Sequence, residues 1–287
     1  MRAQAFKTVV DKYLMVWRAT YVKRFSLSLD RDKCIGCDIC QTVCPKEAIK
    51  IVIPSRAHNA KLGCSVIDID ENRCNYCGIC SAICPRGAFK LKINEVEIVP
   101  VIEKEAFPKI IRHIEVIDGK CPRDCDICVK ACPFNLIEVK FDEEKGKIEV
   151  FIDKEHCPAC RLCEIACPYN AITVKKIFYG SIRINMERCK EGCHDCADVC
   201  PIPNVLQVLN NGKVEVDQTF CIYCGACKVV CPVDSALEFS RTFVCSTDVH
   251  SGAWNKALEK LTSPKIMAKK LYSRLTAKAR DSVDRLK

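Results

Sequence analysis

The stretch CIGCDICQTVCP, residues 34–45, sets four cysteines in the order CxxCxxCxxxC and closes on a proline. Three thiols two residues apart let a tight loop wrap one small object corner by corner. The next three residues form about one helical turn, which carries the fourth thiol away from the other three. Pro45 ends that turn, because proline lacks the N–H a helix needs and restricts the residue before it to extended backbone.

The same run returns along the chain. It recurs at Cys74, Cys77, Cys80 and Cys84 with Pro85, at Cys157, Cys160, Cys163 and Cys167 with Pro168, and at Cys221, Cys224, Cys227 and Cys231 with Pro232. Two copies carry one extra residue in the first gap: Cys121, Cys125, Cys128 and Cys132 with Pro133, and Cys189, Cys193, Cys196 and Cys200 with Pro201. Six runs thus use 24 of the 26 cysteines in 287 residues. After each proline comes a short apolar stretch, such as EAIKIVI or GAFKLKI, and before most runs comes another, such as FSLSLD or IEVFID. Each repeat reads as strand, cysteine loop, helical turn, strand. The longer loop falls in the third and fifth runs and the plain one in the fourth and sixth, so the repeats pair first with second, third with fourth, fifth with sixth.

Several chemistries are excluded by this pattern. Disulfide scaffolds of such cysteine density are short secreted chains, whereas this one opens MRAQAFKTVVDKYLMVWRAT without an apolar signal core, which points to a reducing cytoplasm. Structural zinc takes paired CxxC motifs separated by a longer loop, not six runs of four. The CxxxCxxC that opens residues 189–201 also matches radical enzymes that use S-adenosylmethionine, but those leave one iron open and need a large barrel downstream. Here Cys200 supplies a fourth thiol in register and the next run starts at Cys221. No apolar run is long enough to span a membrane. The ends carry +5 (residues 1–25) and +7 (residues 250–287), leaving −3 for the cysteine-bearing body, which is no nucleic-acid surface.

The run is that of bacterial-type [4Fe–4S] ferredoxins, in which the fourth cysteine ligates the other cluster of a two-cluster unit. This resemblance implies six cubane sites: Cys34, Cys37, Cys40 and Cys84; Cys74, Cys77, Cys80 and Cys44; Cys121, Cys125, Cys128 and Cys167; Cys157, Cys160, Cys163 and Cys132; Cys189, Cys193, Cys196 and Cys231; and Cys221, Cys224, Cys227 and Cys200. The fold class is α+β: three tandem ferredoxin-like domains over residues 26–108, 109–180 and 181–245, with helical extensions at residues 1–25 and 246–287. Cys64 and Cys245 stay outside the sets and read as small thiols. His58, His113, His156, His194 and His250 show no ligand spacing. In the basic C-terminal tail, Trp254, Ala257, Leu258, Ile266, Met267, Leu271 and Leu275 recur at helical spacing around Pro264. Residues 3–22, with Phe6, Tyr13, Trp17 and Tyr21, read similarly, and both ends either pack on the body, dock a partner subunit, or bind a membrane surface or nucleic acid.

Six tandem motifs of this kind, over residues 30–240, resemble the polyferredoxins of methanogenic and related archaea. The resemblance implies a non-catalytic electron relay that passes low-potential electrons to or from catalytic oxidoreductase subunits or other ferredoxins. The tail opening SGAW is most similar to the polyferredoxin subunit of formylmethanofuran dehydrogenase, though that subunit carries more than six motifs. A polyferredoxin linked to hydrogenase or heterodisulfide reductase, a freely diffusing multi-electron carrier or store, and an enzyme acting by itself are the alternatives.

Overall fold

Each pair of motifs builds its unit by pairing strands across the two halves. A computed structural model describes residues 4–52, 66–117, 119–143, 146–233 and 235–263. The first unit contains β1 (Ala5–Val10), β2 (Tyr13–Ala19), β3 (Arg24–Asp30), α1 (Ile39–Val43), β4 (Ile49–Val52), β5 (Val66–Ile69), α2 (Ile79–Ile83), β6 (Phe89–Ile93) and β7 (Val96–Glu97). A one-turn helix, α3 (Pro100–Glu103), follows. The second unit has β8 (Ile114–Val116), α4 (Ile127–Ala131), β9 (Ile137–Asp142), β10 (Lys147–Ile152), α5 (Leu162–Ala166) and β11 (Ile172–Val174). The third has β12 (Phe178–Ile184), α6 (Asp195–Asp198), β13 (Leu206–Val208), β14 (Val214–Val216), α7 (Ala226–Val230) and β15 (Leu237–Val244), and α8 (Gly252–Thr262) closes the described chain.

In every unit the strand before the first motif pairs antiparallel with the strand after the second: β3 with β6, β8 with β11, β12 with β15. The inner strands pair likewise: β4 with β5, β9 with β10, β13 with β14. Neither half can complete its sheet alone. The helices are about one turn long because proline follows each motif: Cys44, Cys84, Cys132, Cys167 and Cys231, each just before a proline, are extended with ψ of 117°, 120°, 110°, 109° and 119°.

The N-terminal extension corrects the expectation of a helix: it is a β-hairpin that adds two strands to the first unit's sheet, giving the order β1-β2-β3-β6-β7. Asp11, at φ 50°, makes its tight turn. Register explains the preference. Leu14, Leu29 and Phe89 line up across three strands, as do Val16, Leu27 and Leu91, and all six are buried. Period-2 alternation thus buries two cross-strand rows that a helix would have split between faces. In the third unit β12 carries a bulge at Tyr179 and Gly180, where a Cβ on Gly180 would lie 2.0 Å from the Ser240 carbonyl, so only glycine fits.

Helix α8 is amphipathic as its spacing predicts, and its apolar face is used for packing rather than left for docking. Trp254, Ala257 and Leu261 are buried where α8 lies on α1 and β15. Trp254 meets Phe107 edge-on at 5.1 Å, and the Ser251 hydroxyl accepts from the Trp254 N–H and donates to the Ala106 carbonyl. The second tail helix, beyond Pro264, lies outside the described residues, as do Cys64 and His58. No described helix is long and apolar enough to cross a membrane.

This packing generates a stability prediction. Trp254→Ala removes a buried indole and should cost about 3 kcal/mol, read as a lower denaturation midpoint of the holoprotein, whereas Lys256→Ala on the exposed side of the same helix should leave the midpoint in place. Equal midpoints for both variants would show that α8 contributes no packing.

Candidate metal centres

All six cysteine loops make the same backbone turn. The residue just before the second cysteine has positive φ in each: Gly36, Tyr76, Asp124, Ala159, Gly192 and Tyr223. Only two of these are glycine, so tyrosine and alanine are held in a conformation that costs about 1 kcal/mol or more, which the rest of the loop must impose. A second left-handed residue follows the proline in each motif, at Glu47, Gly87, Asn135, Asn170, Asn204 and Ser235. These turns bring backbone N–H groups onto the fourth sulfur: Ala48 donates to Cys44 Sγ, Ala88 to Cys84 Sγ, Leu136 to Cys132 Sγ and Ala171 to Cys167 Sγ, at 3.3–3.5 Å.

The thiols gather in sets that cross between the two motifs of a unit. One pocket is lined by Cys74, Cys77, Cys80 and, from the other motif, Cys44. Another is lined by Cys157, Cys160, Cys163 and Cys132, and a third by Cys221, Cys224, Cys227 and Cys200. Among the remaining cysteines, thiols of the two motifs of a unit also feel one another's charge. Burial pushes the Cys40 thiol well up, and Cys37, Cys34 and Cys84 add to it. Cys121 is raised by burial and then by Cys125 and Cys167, and Cys196 by burial and then by Cys231, Cys189 and Cys193, up to about 12.

Burial is the leading cause throughout, taking Cys160 and Cys200 up to about 11 and Cys163 and Cys224 up to about 12. Packed thiols of this kind ionise only if positive charge comes between them, and thiolate is the form that ligates iron. A single zinc ion would need its sulfurs about 2.3 Å from one point, and among the described residues no three His, Cys, Asp or Glu side chains converge to hold one ion. Four thiols lining one cavity suit a cationic polynuclear core, so the residues fit the [4Fe–4S] groups that the sequence implies.

Neighbouring sets lie close enough to feel one another's charge. Cys80 raises Cys40, Cys128 raises Cys163 and Cys196 raises Cys227, each within one unit. Across units, Cys224 of the sixth motif raises Cys37 of the first. The first and second units are joined by two arginines. Arg112 donates to the carbonyls of Cys157, Cys84 and Pro85 at 3.2–3.3 Å, and Arg86 donates to the His156 carbonyl at 2.5 Å while lying 4.0 Å from the Phe134 ring. Burial lowers both guanidinium groups, and the thiols of Cys84 and Cys157 pull the other way. His156 sits between Asp153 and Lys33 at 2.6 Å from each, and His194 pairs with Asp198. Sequence reasoning missed this layer, since its partners lie far apart in the chain. Cys245 belongs to no set: burial raises its thiol and its electrostatic neighbour is Lys175.

Comparison with known proteins identifies the repeats as iron–sulfur domains. The profile of the 4Fe-4S dicluster domain matches residues 25–88, 120–171 and 156–204, and a second profile of the same description matches residues 181–232. The match over 156–204 runs across the fourth and fifth motifs, which the strand pairing puts in different units, because the repeat spacing alone fits either register. No curated protein sequence matches the chain. Among solved structures, the fold is similar to a chain of the formate dehydrogenase–heterodisulfide reductase–formylmethanofuran dehydrogenase complex from Methanospirillum hungatei, with a TM-score of 0.80 and 31 % identity over 90 % of this chain and 91 % of that one. With more than half its length matched and six copies of the cysteine run in place, the chain belongs to the 4Fe-4S dicluster domain family.

Proposed function

We propose that the protein is a polyferredoxin: a non-catalytic electron-relay subunit that carries six [4Fe–4S] clusters and passes low-potential electrons to or from a catalytic partner. The gathering of cross-motif thiols around each cavity is the observation that carries this reading. Every cysteine of a set is spent on ligation, which leaves no iron open for a substrate. A cluster supplies one-electron oxidation and reduction without atom transfer. The chain's own part is to exclude water, donate N–H groups to the sulfurs, and hold adjacent sets close enough for electrons to pass between them. The host is an anaerobic oxidoreductase complex of the formylmethanofuran dehydrogenase type, in the cytoplasm; the likeness over nine-tenths of both chains to a subunit of the Methanospirillum hungatei complex supports that choice over a free carrier.

Two outcomes test it. Anaerobically prepared protein should hold about 24 iron and about 24 acid-labile sulfide per chain; zinc in their place, or fewer than five cubanes after full reconstitution, overturns the reading. Cys44→Ala should damage the centre held by Cys74, Cys77 and Cys80 and spare that of Cys34, Cys37 and Cys40, as read by electron paramagnetic resonance together with iron analysis. Loss of the centre held by Cys34, Cys37 and Cys40 instead would refute ligation across motifs. For the host, anaerobic affinity purification should bring down a molybdenum or tungsten subunit, and recovery of the chain alone would favour a free carrier.

A further inference from the structure

Arg241, in β15, is 0 % exposed, and its guanidinium reaches across from the third unit to the first. Nε donates to the Tyr223 carbonyl at 2.8 Å and Nη2 to the Cys224 carbonyl at 2.6 Å, both in the loop of the sixth motif. Nη2 also donates at 2.6 Å to Asp38 Oδ1, 203 residues away, between the second and third cysteines of the first motif. Nη1 has no hydrogen-bond partner, and the group lies 4.8 Å from the Phe239 ring. Gly225 leaves room for the pair: it sits at φ +85°, and a Cβ there would lie 2.8 Å from Arg241 Nη2 and 2.9 Å from Asp38 Oδ1. A buried ion pair that ties two loops by cramped, specific contacts is weak evidence for stability, so it calls for another explanation.

The charges are placed unevenly. The cation is fixed to the carbonyls of the sixth-motif loop and has no access to water, while the anion belongs to the first-motif loop, with its side chain 12 % exposed. We propose that Arg241 and Asp38 are a positioning pair that locks the third unit to the first and biases their facing centres, raising the potential of the one held by Cys221, Cys224, Cys227 and Cys200 above that held by Cys34, Cys37, Cys40 and Cys84. Reduction adds negative charge, which a buried cation favours and a neighbouring carboxylate opposes.

This inference rests on the iron–sulfur reading and is tested apart from it. Full-length holoprotein carrying Arg241→Met, Arg241→Lys or Asp38→Asn is titrated anaerobically and followed by electron paramagnetic resonance, with iron measured in each. Arg241→Met should lower one component by about tenfold in its reduction equilibrium, equivalent to about 59 mV for one electron. Asp38→Asn should raise a component, and Arg241→Lys, which keeps the charge, should stay near the parent. Opposite signs are the signature, because loosened packing or admitted water would move both neutral variants the same way. Unchanged potentials, or shifts of one sign, overturn the proposal. If Arg241→Met fails to take up iron, the remaining variants decide: a raised component in Asp38→Asn with Arg241→Lys near the parent supports the proposal, and an unchanged or lowered one in Asp38→Asn overturns it. A parent protein with no iron–sulfur signal would instead refute the functional reading.

Discussion

Buried thiols that face one another are the constraint on which everything else in this molecule depends. Desolvation and mutual repulsion hold the thiols of Cys40, Cys80 and Cys227 well above their ordinary range, so the sets are tolerable only as neutral thiols or as thiolates around a positive core. The secondary structure is too slight to impose such crowding by itself. Apart from α8, no described helix exceeds five residues, and the inner strand pairs of the third unit are three residues long. Elements this short bury little area against the chain entropy of ordering them. On the iron–sulfur reading, ligation adds folding energy to this packing, and the ligand-free chain is expected to be the less stable form.

Much of this was legible in the sequence because cysteine, proline and the flanking apolar stretches act locally. The run CIGCDICQTVCP specifies its loop, its single turn and the extended backbone at Cys44 within twelve residues. The strands before and after each motif follow from alternation, and their pairing follows once the motifs are coupled two by two. The N-terminal hairpin was misread for a geometric reason. Tyr13, Trp17 and Tyr21 are four apart, and residues four apart share a face in a strand as well as in a helix. Leu14 and Val16, buried in alternation with exposed Tyr13, half-buried Met15 and exposed Trp17, were the better signal.

Other features have no local signature at all. Tyr76, Ala159 and Tyr223 adopt left-handed backbone that their side chains disfavour, because the cysteines on either side leave the loop no other path. The arginines that join the units are chemically ordinary until the fold sets Arg112 against carbonyls of two different motifs and Arg241 beside Asp38. Charges inside a strand such as LEFSRTFV read as solvent-facing, yet Arg241 is fully enclosed.

The closure of the first unit by the end of the described chain bears on how the protein is made. Strand pairing within that unit is complete once Glu97 has been synthesised, but the outer side of α1 stays bare until α8 arrives to cover it. At about 5–20 residues per second, the ribosome takes on the order of 10–40 s to travel from α1 to the end of α8. Over that interval the second and third units can form and take up metal, while the first waits with an apolar helix in water. The molecule is therefore sealed at its beginning by its end, and a nascent chain arrested before residue 252 would present Ile39 and Val43 to whatever chaperone or metallochaperone attends it.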